Sequence, residues 1–94
     1  MRTITILNPT SAARPGAHPI PGPVATLQGK VVAILNNRWK SMDLVAERFE
    51  AALRRDHGVA DVLQRVIPIS AAAPAALLDE VAARAAVAVV GLAN

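Results

Sequence analysis

Five polar side chains, Asn36, Asn37, Arg38, Lys40 and Ser41, fall within one short stretch directly after the continuous apolar run Lys30–Leu35 (KVVAIL). A buried strand that opens onto a helix leaves backbone N–H groups free at the helix start and turns the positive end of its dipole toward the loop. Amide, guanidinium, ammonium and hydroxyl groups in that position suit a carboxylate or a phosphate, so the expected ligand is a small anionic molecule. A second apolar run, Ala86–Val90, is followed by Gly91–Asn94, and Gly91 and Asn94 join the five as candidate binding residues. A plainer reading stays open beside this one. Asn and Ser are ordinary helix caps, Arg38 and Lys40 can simply be solvated, and the loop has no glycine-rich phosphate signature.

No catalytic constellation is complete within these residues, and nothing in them calls for a metal or a cofactor. His57 stands just before Gly58 at the end of a helical pattern and reads as a helix-end residue, while His18 lies in a proline-rich arm and reads as surface. Cysteine is absent, which removes disulfides, thiolate ligands and Cys nucleophiles together. Ten Lys and Arg against seven Asp and Glu give a mildly basic chain without a basic run, and Trp39 and Phe49 are its only aromatic residues. Without stacking aromatics, nucleic acid is not an expected partner. No charged-then-apolar leader opens the chain and no apolar stretch reaches the ~20 residues of a membrane span. The expected location is therefore cytoplasmic, with no membrane partner.

The elements that must position the candidate residues follow from periodicity. Thr3–Leu7 (TITIL) alternates and is β-branched, so a short first strand is expected, ended by the turn signal Asn8-Pro9. Between Asn8 and Gly29 five prolines exclude a helix or an interior strand, leaving a loop or extended arm. Lys30–Leu35, apolar without alternation, predicts a central parallel strand. Ser41 is placed to cap the next helix, with Asp43 in its first turn and Met42, Val45, Phe49, Ala52 and Leu53 as its apolar stripe. Val59–Ile67 supplies a third strand, Ala71–Ala85 a second helix with Leu77, Leu78, Val81 and Ala82 inward, and Ala86–Val90 a last buried strand.

Strand, helix, strand, helix, strand from Lys30 to Gly91 predicts an α/β fold: an open, doubly wound, mainly parallel sheet in one domain or the first part of one. Ligands of such sheets bind beyond the carboxyl ends of the strands, here Asn8–Thr10, Asn36–Ser41 and Gly91–Asn94. The last strand carries no charge and no proline, so its carboxyl-terminal edge reads as incomplete. Self-association or a partner chain is expected there.

The segments Leu7–Thr10, Gly29–Asp43 and Val89–Asn94 resemble the front half of the UGSC-motif family of bacterial proteins, and the Asn36–Ser41 run is the most specific part of the likeness. In that family a strand ending in a Val-Val-Gly-Leu pattern runs into selenocysteine or cysteine, then Gly-Ser-Cys. The resemblance implies a redox-type protein whose reactive pair lies just downstream of Asn94. It also implies that a UGA codon read as a stop would end the chain at this residue. A selenol or low-pKa thiol there would be held as the anion by the helix dipole. The 94 residues alone would then have no redox activity; the alternative expectation is a non-catalytic binding or assembly subunit completed by a partner.

Overall fold

The computed structural model describes residues 1–94 apart from Arg14, Ala17 and His18, so the surface reading of His18 lies outside the described residues. The elements are β1 (Val31–Asn36), α1 (Lys40–Asp56), β2 (Asp61–Val66), α2 (Ala75–Arg84) and β3 (Val87–Gly91). The strands form one parallel sheet in the order β2-β1-β3, with Ile34 opposite Gln64 on one side and Val89 on the other. The fold is thus α/β with an open parallel sheet, and the unbroken run of β1 occupies the centre as its composition requires.

The two faces of the sheet are covered by different helices. Val32 and Ile34 of β1 and Val62 of β2 pack under Met42, Ala46 and Leu53 of α1. Ala33, Leu35, Leu63 and Ile67 pack with Val81 on the opposite face, flanked by Leu77 and Ala85. The crossover through α1 joins neighbouring strands, whereas the crossover through α2 must pass over β1 to reach β3. Strand order therefore reverses between β1 and β3, and the crevice at their carboxyl ends is the topological switch point.

Local chemistry sets the element ends. Gly58, at φ 58°, takes the left-handed position after α1, and the His57 N–H closes the last turn on the Leu53 carbonyl at 3.1 Å. Gly29, at φ 71°, turns the arm into β1 and donates its N–H to the Gly58 carbonyl at 3.0 Å. At the start of β2 the Asp61 carboxylate accepts the Val62 N–H and lies 3.1 Å from Arg54, and these two contacts, in that order, lower its pKa.

Several expectations are revised. The segment Thr3–Leu7 is not in the sheet; it has no regular secondary structure, and Ile4, Ile6 and Leu7 are exposed. Ser41 does not cap α1: the helix begins one residue earlier, at Lys40, so Ser41 lies inside the first turn, and Trp39 occupies the cap position without a side-chain cap bond. The buried arc of α1 centres on Met42, Ala46 and Leu53, leaving Val45 and Phe49 exposed, because a three-stranded sheet covers a narrower arc than the apolar stripe offers. Helix α2 begins at Ala75, as Pro74 precedes the first turn, and Leu78 and Ala82 face outward while Val81 is buried.

Two measurements check this packing. Ile34 is fully buried, so Ile34→Val should cost about 1 kcal/mol in denaturant unfolding, against a few tenths for a change at exposed Val45. The folded-state pKa of Asp61 lies below its unfolded value, so its contribution is present above the ordinary carboxylate range and is lost as pH falls through the lowered value. Asp61→Asn should therefore destabilise at pH 7 and converge on the parent under strongly acid conditions; a pH-independent difference would contradict the assignment.

Candidate functional site

The loop between β1 and α1 is built by two consecutive asparagines whose side chains fold back on the main chain. Asn36 Oδ1 accepts the Arg38 N–H at 2.7 Å and Asn37 Oδ1 accepts the Trp39 N–H at 3.4 Å, two successive turns of the kind that short amide side chains favour. These bonds hold Arg38 at φ 67°, a left-handed conformation uncommon for a residue with a Cβ. Asn36 Nδ2 also donates to Asp43 Oδ1 at 2.9 Å, and Arg38 Nε lies 2.8 Å from the same oxygen. Asp43 thus ties the loop to the first turn of α1 from inside and from outside.

Asn37 reaches the other side of the crevice. Its Nδ2 donates to the Ala93 carbonyl at 2.9 Å, its Oδ1 accepts the Ala93 N–H at 3.3 Å, and its own N–H donates to the Gly91 carbonyl at 3.4 Å. Only 3% of Asn37 is exposed, and among the described residues no buried side-chain polar atom lacks a partner. The amide imitates a strand residue and carries the sheet pairing two positions past β3. Gly91 is buried at the same crossing, where an added Cβ would overlap the end of the Met42 side chain, so a side chain there requires Met42 to move aside.

The structure therefore brings Asn37 and Gly91 together at the β1–β3 switch point, whereas Asn36 and Arg38 face the side toward β2. Lys40 and Ser41 are exposed in the first turn of α1, and Asn94 is exposed at the chain end. The asparagine side chains are engaged with protein groups, so groups able to meet a ligand are the Lys40 ammonium, the Ser41 hydroxyl and the first N–H groups of α1, which have no side-chain cap. Sequence reasoning assigned Asp43 only to the helix dipole and did not anticipate it as the partner of both Asn36 and Arg38. It also passed over Met42 beneath Gly91, although a glycine closing a buried strand signals close approach.

A cavity of about 520 Å³ opens on the β2 side of the loop, lined by Asn36, Arg38, Asp43, Glu47, Gln64 and Arg65 among others. Both signs of charge meet in it, with Arg38 paired to Asp43 and Arg65 paired to Glu80. Among the described residues no cluster of His, Cys, Asp and Glu has the form of a metal site, and no helix is long and apolar enough to cross a membrane.

The chain has the open parallel sheet of an α/β protein, with a helix on each face and polar residues at the carboxyl ends of β1 and β3. More specifically, the profile of the UGSC family matches residues 5–94, essentially the whole chain, and the protein is a member of that family. No curated protein and no solved structure matches it.

Removing the Asn37 amide should free the end of the chain. Asn37→Ala is expected to cost about 1–3 kcal/mol, the range for leaving buried partners unsatisfied. It should also speed amide exchange at Ala93 while leaving β2 unchanged; unchanged exchange at Ala93 would rule the clamp out. Gly91→Ala should destabilise in the parent but cost less in a Met42→Ala background, since the two share one space.

Proposed function

We propose that this chain forms the binding half of a cysteine- or selenocysteine-dependent site of oxidoreductase type, whose reactive residue follows directly after Asn94, and that the 94 residues alone lack that activity. Family membership over residues 5–94 supports the reading, because the pattern that ends here in Val89–Asn94 runs into the reactive motif in the family it resembles. The observation that carries it is the Asn37 clamp. With Ala93 fixed by two hydrogen bonds to the loop that starts α1, a residue one step beyond Asn94 would stand near the amino end of that helix. A thiol or selenol there would be favoured as its anion, the nucleophilic form. Lys40, Ser41 and the free N–H groups of the first turn would receive the anionic part of a small substrate, with Arg38 and the two asparagines holding the loop in shape.

A second reading is favoured by a separate observation. The outer edge of β3 carries no charge and no proline, and Val90 and Leu92 are exposed beside it, as in a non-catalytic subunit assembled with a partner chain.

One comparison separates the two. The 94-residue chain is measured against a longer chain in which a cysteine and then Gly-Ser-Cys follow Asn94, by thiol titration against pH and by a thiol-dependent reduction assay. The redox reading expects a reactive thiol titrating below ~8.5 in the longer chain, reductase activity only there, and loss of the lowered titration on Asn37→Ala. An ordinary thiol pKa with no activity in either chain leaves the assembly reading.

A further inference from the structure

We propose that the amino-terminal segment Thr3–Leu7 of this same chain adds to the sheet as a fourth strand on the outer edge of β3. This rests on the sheet and the arm and is independent of the redox reading. Two surfaces in the structure each lack what the other supplies. Ile4, Ile6 and Leu7 are 82–86% exposed, although TITIL has the alternation and β-branching of a strand with one apolar face.

The edge of β3 is the complementary surface. The Asn37 N–H donates to the Gly91 carbonyl at 3.4 Å and Ile34 pairs with Val89, and backbone groups alternate along a strand, so Val87, Val89 and Gly91 bond to β1 while the N–H and C=O of Ala88 and Val90 point away from it. Among the described residues no strand pairs there. On the α2 side, Val90 is 57% exposed and lines an apolar cavity of about 480 Å³ with Leu35, Ile67, Ile69, Leu78 and Leu92. Ile4 and Ile6 share one face of their strand and would lie over this flank, with Thr3 and Thr5 turned to the other side.

Charge selects this edge over the other. The outer strand β2 carries Asp61 and Arg65, each in an ion pair, which discourages a further strand, whereas β3 and Thr3–Leu7 are both uncharged. The connection over residues 8–30 reaches roughly 70 Å when extended, ample for strands spaced ~4.8 Å apart. A tether of this kind gives the segment an effective concentration of order millimolar at its own sheet, which favours it over a second copy at micromolar protein.

Amide hydrogen exchange on the whole chain, followed residue by residue at several protein concentrations, tests the pairing. Expected is exchange slowed at least about tenfold at Ala88, Val90 and within Thr3–Leu7, independent of concentration. Thr5→Pro, which removes a backbone donor outside the core, should abolish that protection while β1 and β2 keep theirs. Random-coil exchange throughout Thr3–Leu7 would overturn the proposal, as would protection of Ala88 and Val90 that survives Thr5→Pro. Protection that appears only as the concentration rises would overturn it too, assigning the edge to a second copy.

Discussion

One buried amide connects the parts of the crevice. Asn37 donates to and accepts from the backbone of Ala93, accepts from Trp39, and through its own N–H reaches Gly91. A buried amide left without partners would cost several times what a net hydrogen bond contributes, so the loop and the segment after β3 are held in mutual register by the penalty for separating them. Asn36 does the same on the inner side, joining the backbone of Arg38 to the carboxylate of Asp43. The start of α1, the end of β1 and the end of β3 consequently form one polar unit above an aliphatic core.

The core beneath it is narrow. Three strands provide two faces only wide enough for Met42, Ala46 and Leu53 on one side and Val81 with Leu77 on the other. Apolar side chains that a wider sheet would cover, among them Phe49, Leu78 and Val90, remain exposed. Helix α1 offers a stripe broader than the surface it meets. Among the described residues the same economy of strands leaves both sheet edges open, and β2 but not β3 carries charge along its edge.

How much of this was legible in the sequence depends on the range of the interaction involved. The parallel strands, both helices, the left-handed Gly58 and the polar loop after β1 follow from periodicity and from residue preferences that act over a few positions. Ser41 as a cap was a sound local guess that failed because the helix begins earlier, at Lys40, with Trp39 at the cap position. The clamp on Ala93 was out of reach, since it joins residues 56 positions apart and depends on β3 lying beside β1 and not beside β2. Composition identifies Thr3–Leu7 as strand-like, yet it carries no information on which neighbour such a strand would find.

The central claim, that Asn37 fixes the chain after β3 against the amino end of α1, has a direct spectroscopic signature. In isotope-labelled protein the two side-chain amide protons of Asn37 should exchange slowly with solvent, and one of them should show a through-hydrogen-bond coupling to the Ala93 carbonyl carbon. Asn37 amide protons that exchange as fast as those of exposed Asn94, with no coupling to Ala93, would contradict the account.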